Sequence, residues 1–331
     1  MNFVKTAGTV LFLAVFVAAG MYGLTTTLDP HPHPHARFLF VASASGEWSE
    51  RTVEGARAAA EKLGIELDVL TPGATSSANQ QAALSERLCH TNYDGVALSP
   101  ADAKSPLELI NDLARHAKLV TLDHDCDGSN RLCHFGYSQF NAGAVAARLA
   151  EGRMPPPGKV AILSTTHSDA TAQQRVGERS AGFADSWKSD NYRAMYRPIV
   201  EVTLDATGRS TNSNSLAATL ADPNLAMIIA LDVESAESAL AALATLSVAR
   251  RVPMITFDPN ETIFDAIQDG RVTCAVFDDP YRSGFAAIEK LGVYSSGGRY
   301  AIPIPGRGTY VLANEVVSAQ NLTEVRRRLR S

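Results

Sequence analysis

Short apolar runs alternate with longer amphipathic stretches along the chain from Ala36 onward. The runs are rich in Val, Ile, Leu and Phe, and continuous apolar runs of this length predict strands buried on both faces of a parallel sheet. They are Phe38–Ala42, Ile65–Leu70, Gly95–Leu98, Leu119–Leu122, Lys159–Leu163, Ala226–Leu231, Pro253–Phe257 and Thr273–Phe277.

The stretches between these runs carry Ala, Leu and Glu at helical spacing. They are Ser49–Leu63, Ala78–Cys89, Pro106–His116, Phe140–Glu151, Gln174–Lys188, Val233–Ser247 and Arg282–Leu291. Alternating strands and helices predict right-handed crossover units and an α/β fold. The segment Met154–Gly158, which contains three consecutive prolines, interrupts the alternation near its middle. Because a single hydrophobic core rarely grows past about 250–300 residues, we expect two doubly wound, Rossmann-like lobes.

The overall composition is that of a globular protein and narrows the class of function. The chain has 331 residues, 45% of them apolar and 20% charged, which excludes a disordered or collagen-like chain. A net charge of −5 argues against a broad nucleic-acid-binding face. The mean hydropathy of −0.05 excludes a polytopic membrane protein.

The first 35 residues differ from the rest. Lys5 is the single charge before Asp29, and residues 7–24 form an uncharged apolar run, which is typical of a secretory signal peptide or an N-terminal anchor. After Asp29, residues 30–35 alternate Pro and His, which predicts a stiff, extended spacer. The three histidines of this spacer could bind a metal weakly, but a linker is the better interpretation. The remaining chain is therefore expected in the periplasm or elsewhere outside the cytoplasm.

Polar side chains follow several of the predicted strands, and four of these strands end on an aspartate. These are Asp123, Asp232, Asp258 and Asp278, while the first strand leads into Ser45 and Trp48. Ligands of open α/β sheets bind beyond the carboxyl ends of the strands. Any one of these aspartates could instead cap the next helix, and for Asp232, which directly precedes a predicted helix, that alternative is equally good.

Together these residues suit the recognition of a hydroxyl-rich molecule. Several carboxylates accept hydrogen bonds from several hydroxyls, and an aromatic face packs against the C–H side of a sugar ring. Arg175 and Arg179, on the helix after the strand at Lys159, could serve two ligand oxygens or neutralise neighbouring aspartates. The combination indicates a neutral polyol, a sugar or a cation.

Motifs of enzymes and of DNA-binding proteins are missing from the sequence. It has no G-x-G-x-x-G, phosphate-binding G-x-x-x-x-G-K-[ST], H-E-x-x-H or G-x-S-x-G segment. The aspartates could imitate a glycosidase pair or a divalent-metal site, but no general acid stands out. The apolar segment occupies the place where a repressor would carry a helix-turn-helix. We therefore expect neither an enzyme nor a transcription factor, and no cofactor or resident metal.

Ordered segments of the chain carry a resemblance to a known family. They are FLFVASASGEWSERTVEGARAAAEKLGIELDVL, DGVALSPADA, LVTLDHD, HFGYSQFNAGAVAA, RVGERSAGF, MIIALDVESAESALAAL, MITFD and IQDGRVTCAVFDDPYRSGFAAIEKL. From Arg37 to about Leu312 the chain resembles the type I periplasmic binding proteins of the ribose, galactose and xylose group. The sugar-sensing domains of lac-type repressors share that fold.

The resemblance implies two lobes joined by three crossing strands, with a ligand in the cleft. It assigns residues 36–137 and 281–306 to an N-terminal lobe, and residues 138–280 and 307–331 to a C-terminal lobe and tail. It implies a sugar-binding protein that serves an ABC transporter permease. The alternative is a receptor that presents its ligand-bound state to a membrane sensor kinase.

The resemblance also implies roles for individual residues. Trp48 takes the place of a ring that stacks on the sugar, Asp123 that of a sugar-binding aspartate, and His124 that of an arginine. Four further residues fall on ligand-contacting positions; they are Arg179, Asp232, Asp258 and Asp278. Ser45, at the end of the first strand, and His124 are the weaker candidates. Because His124 and Asp278 replace an arginine and an amide, the site is more acidic than usual, which leaves an amino sugar or another cationic ligand as an alternative.

The cysteines leave one question open. Cys126 and Cys133 flank a predicted turn, and a disulfide between them is allowed outside the cytoplasm. The resemblance puts Cys89 and Cys274 in different lobes, so we expect both to be free thiols.

Overall fold

The structure is a computed structural model that describes residues 36–42, 46–71, 84, 87, 91–100, 107–153, 158–188, 198–246, 252–296 and 308–330. The predicted export segment and spacer, residues 1–35, lie outside the described residues, as does most of the predicted helix Ala78–Cys89. Within the described part of the chain, no helix combines the length and the apolar character that crossing a membrane requires.

Strands and helices alternate, and all eight predicted strands are confirmed. Up to the middle of the chain the elements are β1 (Arg37–Val41), α1 (Glu47–Leu63), β2 (Glu66–Leu70), β3 (Gly95–Leu98), α2 (Leu107–His116), β4 (Lys118–Leu122), β5 (Cys133–Tyr137) and α3 (Gln139–Glu151). After it they are β6 (Lys159–Thr165), α4 (Ala170–Lys188), β7 (Ile199–Leu204), α5 (Leu216–Ala221), β8 (Leu225–Ala230), α6 (Val233–Thr245), β9 (Met254–Phe257), α7 (Glu261–Gln268), β10 (Cys274–Phe277), α8 (Pro280–Ser295), β11 (Thr309–Leu312), β12 (Glu315–Ser318) and α9 (Leu322–Arg330).

The strands form two sheets with the same order. One sheet runs β11-β5-β4-β3-β1-β2 and the other β12-β10-β9-β8-β6-β7. Strands β1 to β5 pair in parallel, as do β6 to β10, and β12 is antiparallel to β10. This confirms the predicted α/β fold of two doubly wound, Rossmann-like halves.

Two compact units contain one sheet each. The first unit takes the described residues up to Gly136 together with Pro280–Val311. The second unit takes Tyr137–Asp279 together with the described residues from Leu312 onward. Each unit is therefore discontinuous in sequence, since the chain enters the second unit and returns to the first before it ends.

The central strands are buried on both faces, which explains their continuous apolar runs. In β6, Val160 and Ile162 pack with Trp187 in one hydrophobic cluster, whereas Ala161 and Leu163 belong to the cluster on the opposite face. Fully burying a Val, Leu or Ile side chain is worth about 1.5–3 kcal/mol, so such strands contribute strongly to stability. Helices cover both faces of the sheet, as α/β packing requires.

Glycines set the spacing between α3 and α4 in the second unit. A Cβ atom added at Gly143 would lie 2.0 Å from the backbone oxygen of Arg179, and one added at Gly182 would lie 1.9 Å from that of Phe140. The two backbones approach so closely that no other residue fits at either position. This contact fixes the part of α4 that carries Arg179.

Candidate functional site

Asp123 and Asp258 occupy corresponding places in the two units. Asp123 directly follows β4 and Asp258 directly follows β9, and both strands are third in their sheet order. Their φ angles are 63° and 48°, and among the described residues they are the non-glycine residues with positive φ. A non-glycine residue in this left-handed region costs on the order of 1–2 kcal/mol, although Asp tolerates it better than most. Backbone strain of this kind is concentrated at functional sites.

Asp123 is held by two neutral donors of the first unit. The Ser99 hydroxyl donates to Oδ2 at 2.6 Å, and the Trp48 indole N–H donates to Oδ1 at 3.2 Å. Burial raises the pKa of the Asp123 carboxyl, and these two hydrogen bonds oppose that rise. The carboxylate therefore gains from any further donor that reaches it.

Trp48 and His124 lie next to this carboxylate, one in space and one in the chain. Trp48 is the second residue of α1, and 43% of its surface is exposed although its indole N–H donates to Asp123. His124 is half-buried, and its charge would lower the pKa of Asp123. Ser45, the weaker candidate of this group, lies outside the described residues.

Asp258 is paired with a buried arginine in the second unit. Arg179 Nη2 lies 2.7 Å from Asp258 Oδ2, and Arg175 Nη1 lies 3.8 Å from the same oxygen. The Asp258 side chain keeps 34% of its surface exposed, whereas that of Arg179 keeps 2%. The Asp258 carboxylate thus remains accessible to solvent while the buried Arg179 neutralises its charge.

The other contacts of Arg179 explain its fixed position. Its Nε donates to Gln139 Oε1 at 2.8 Å, and Nη1 donates to the Leu231 carbonyl oxygen at 2.9 Å. The guanidinium carbon stands 4.6 Å from the centroid of the Phe257 ring, which is a cation–π distance. These contacts fix the guanidinium where it pairs with Asp258.

Asp278 accepts from two amides rather than from a cation. Gln139 Nε2 donates to Oδ2 and Asn314 Nδ2 donates to Oδ1, both at 2.7 Å. Burial, together with the negative charge of Asp258, raises the pKa of Asp278. Gln139 thus links Asp278 to Arg179, and Arg179 in turn pairs with Asp258, so these four side chains form one network.

Gln139 and Asn314 were missed by the sequence analysis. Gln139 is the first residue of α3, and a polar residue at a helix start normally signals only a cap. Asn314 lies between β11 and β12, in a part of the chain without an apolar run. Neither residue carries a local signal of its partner, since both partners are far away in sequence.

Asp232 caps a helix, as the alternative interpretation proposed. Its Oδ1 accepts from the backbone N–H of Ser235 at 2.7 Å at the start of α6. The Thr165 hydroxyl donates to Oδ1 at 3.0 Å and the Thr165 N–H donates to Oδ2 at 2.8 Å. Asp232 is 5% exposed, and a ligand contact there stays a prediction.

Of the two cysteines of the predicted turn, Cys133 is a buried free thiol, and Cys126 is buried and not bonded to it. Cys126 belongs to the hydrophobic cluster on one face of the first sheet, and Cys133 to the cluster on the other face. The bridge that the sequence left open is not formed in the described part of the chain. Cys274 is also a buried free thiol.

A buried histidine lies beside an ion pair of the first unit. Arg131 donates from Nε and Nη2 to the two carboxylate oxygens of Asp125, each at 2.6 Å. His134 Nδ1 lies 3.1 Å from the Thr121 hydroxyl and 3.6 Å from Asp125 Oδ1. Burial lowers the pKa of His134 to about 4, so the ring is neutral in the folded protein near pH 7.

Comparison with known proteins identifies the architecture. Residues 38–298 match the family model described as a periplasmic binding protein domain. No curated protein matches the chain in sequence. The arabinose-binding protein AraP from Geobacillus stearothermophilus is 19% identical, with a TM-score of 0.65 over 88% of this chain and 99% of that one.

Two other solved structures are similar. The periplasmic ribose ABC transporter protein from Conexibacter woesei is 16% identical, with a TM-score of 0.67 over 91% of this chain and 99% of that one. A XylFII–LytSN complex contains a chain that is 18% identical, with a TM-score of 0.67 over 87% of this chain and 99% of that one. At these identities the similarity establishes the fold.

Proposed function

The chain belongs to the periplasmic binding protein family, and from this premise we propose that it binds a neutral sugar outside the cytoplasm and delivers it to an ABC transporter. Proteins of this family bind ligands without converting them, so the chain is a binder and not an enzyme. The fold matches that include arabinose- and ribose-binding proteins support the choice of a sugar. The proposed setting outside the cytoplasm agrees with the apolar N-terminal run of the sequence.

The observation that carries the proposal is the pair of strained aspartates. Asp123 and Asp258 hold their carboxylates beyond the strand ends in a backbone conformation that few residues adopt. Carboxylates fixed in this way accept hydrogen bonds from sugar hydroxyls, and the exposed face of Trp48 offers a surface for the C–H side of the ring. We assign Asp278, Asp232, His124 and Ser45 to the same set of ligand contacts, with Arg179 acting through Asp258.

The charges favour a neutral ligand over a polycation. In the second unit, Arg179 and Arg175 pair with Asp258, and the charge of Arg179 also acts on Asp278. In the first unit, Asp123 faces neutral donors and has a raised pKa, so it gains from hydroxyl donors. An amino sugar, whose ammonium group would pair with Asp123, is the alternative within the same ligand class.

A thermal-shift screen tests the ligand class. The panel contains arabinose, ribose, xylose, glucose, galactose, glucosamine and spermidine. A ligand present at 100 times its Kd stabilises a protein by about 2.7 kcal/mol, which gives a rise in Tm of several degrees. We expect such a rise with a neutral sugar; a rise with spermidine alone would contradict the proposal.

Substitution of Asp258 tests the site. Because Asn tolerates the left-handed backbone better than Ala does, Asp258→Asn removes the charge with the least added strain. A hydrogen bond to a charged group is worth about 1.5–3 kcal/mol, so affinity for the sugar found in the screen should fall about 10- to 100-fold by calorimetry. The control is Asp269→Asn, whose carboxylate pairs with Arg271 on the surface. Equal affinity of the two variants would remove Asp258 from the site.

A second candidate function is presentation of the bound sugar to a membrane sensor. The observation in its favour is that a protein of this fold was solved in a XylFII–LytSN complex. The neighbouring genes and a pull-down from solubilised membranes distinguish the two functions. Recovery of a permease supports transport, and recovery of a histidine kinase in its place supports sensing.

A further inference from the structure

His167, Asp232 and Glu234 bring three potential metal ligands together in the second unit. His167 follows the end of β6, Asp232 follows the end of β8, and Glu234 lies in the first turn of α6. One ligand atom of each residue lies within 4.8 Å of the others. The two loops that carry these residues are adjacent because β6 pairs directly with β8.

Hydrogen bonds fix the two residues that are less exposed. Asp232 accepts from the N–H of Thr165 and from the N–H of Ser235, which set the plane of its carboxylate. The backbone N–H of His167 donates to Gln173 Oε1 at 3.0 Å, which holds the turn that presents the imidazole. Metal ligands in proteins are oriented by hydrogen bonds of this kind.

The distance between the two oriented ligand atoms has the value that a tetrahedral metal requires. Zinc binds imidazole nitrogen and carboxylate oxygen at about 2.0–2.2 Å, so two such atoms on one tetrahedral ion stand about 3.3–3.5 Å apart. His167 Nε2 and Asp232 Oδ2 are 3.4 Å apart. That separation is long for a hydrogen bond between the two groups.

The third residue supplies the remaining charge. Glu234 is exposed, so its carboxylate can move toward an ion between the other two groups. Two carboxylates also offset the unfavourable field of a helix N-terminus on a cation. A single Asp–His pair would leave the site with too few ligands and too little negative charge.

We propose that His167 Nε2, Asp232 Oδ2 and a Glu234 carboxylate oxygen bind a divalent transition metal of the zinc class, with water in the fourth position. Imidazole and carboxylate ligands in a tetrahedral arrangement suit zinc better than calcium or magnesium, which prefer six or more oxygens. Asp232 also belongs to the proposed set of sugar contacts, but zinc binding is measured without sugar, so the test of this site does not depend on which ligand the protein carries.

Zinc titration by calorimetry tests this site. The parent for the measurement is the full chain in which His31, His33 and His35 are replaced by Ala, so that the spacer histidines do not contribute. After treatment with a chelator and its removal, this protein should bind one equivalent of ZnCl2. His167→Ala and Glu234→Gln should each weaken binding about tenfold or more.

Matched controls separate the site from general effects of charge and of histidine. His116→Ala removes an exposed histidine of α2. Glu237→Gln removes a carboxylate of α6, the helix that carries Glu234, and this carboxylate accepts from Asn260. Both controls should bind zinc as the parent does. No binding by the parent, or unchanged binding in either His167→Ala or Glu234→Gln, overturns the three-ligand assignment. Circular dichroism of Glu234→Gln checks that the fold is intact.

Discussion

Replacing Gly143 by Ala should disturb the fold and the proposed site together. The new Cβ would lie 2.0 Å from the Arg179 backbone oxygen and 2.8 Å from the Phe183 nitrogen, where contacts below 3.0 Å force a shift. The neighbouring atoms are backbone, so α3 and α4 must separate by about 1 Å. Overpacking of this kind costs about 1–3 kcal/mol of unfolding free energy.

The same displacement reaches the proposed ligand contacts through Arg179. Its side chain holds Asp258 at 2.7 Å and Gln139 at 2.8 Å, and a shift of about 1 Å breaks hydrogen-bond geometry at both. We therefore expect Gly143→Ala to weaken sugar binding as well as to destabilise the protein. The affinity loss should approach the loss caused by Asp258→Asn.

Gly177→Ala is the matched control because it lies on the same helix. A Cβ at Gly177 meets no heavy atom within 4 Å, and the position is exposed in the interior of α4. Alanine there should raise the unfolding free energy by about 0.5–1 kcal/mol and leave affinity unchanged. Urea unfolding and calorimetric titration measure both effects. Gly143→Ala with the stability and affinity of Gly177→Ala would refute the close approach of the helices.

Two further predictions concern the first unit. Because burial lowers the pKa of His134 to about 4, the unfolded chain takes up the proton first as the pH falls below about 6.5, and stability is lost down to about pH 4. At 1.36 kcal/mol per pKa unit, the unfolding free energy falls by about 3 kcal/mol between pH 7 and pH 4 because of this group. Urea unfolding at the two pH values should show a fall that is smaller by that amount in His134→Gln and unchanged in the control His116→Gln. A fall in His134→Gln as large as in the parent would contradict the burial of His134. Cys126 and Cys133 lie in clusters on opposite faces of the first sheet, so a digest prepared without reductant should contain no peptide pair cross-linked through these two residues. Such a pair in the mass spectrum would contradict their placement.

The sequence predicts the central strands because their environment is uniform. A strand with helices on both faces must be apolar throughout, so β8 and β6 read as continuous runs. β7 was missed because Glu201 is exposed within it, which gives the mixed pattern of a strand at the edge of the sheet. β5 was missed because its sequence, CHFGY, combines His and Gly with two aromatics.

The strand-end aspartates were predictable, but their partners were not. The carboxyl ends of parallel strands lie at the same edge of a sheet, so an Asp that directly follows an apolar run is predicted to lie at that edge. The partner depends on contacts between distant segments, as the 139-residue separation of Gln139 and Asp278 illustrates. Helix α9 shows the same limit, since Arg326 pairs with Glu261, 65 residues away in sequence, and Arg328 pairs with Glu315.

Each unit has an aspartate with positive φ directly after the third strand of its sheet, but the charges around the two aspartates differ. Asp258 forms an ion pair with Arg179, so its charge is compensated before any ligand binds. Among the described residues, Asp123 accepts from the hydroxyl of Ser99 and the indole N–H of Trp48 and has no ion-paired arginine, and burial raises its pKa. A carboxylate that has lost water on burial and has no cationic partner is stabilised more by each new hydrogen-bond donor than an ion-paired carboxylate is. The reason is that each new hydrogen bond replaces part of the lost hydration. Sugar hydroxyls should therefore contribute more binding free energy at Asp123 than at Asp258.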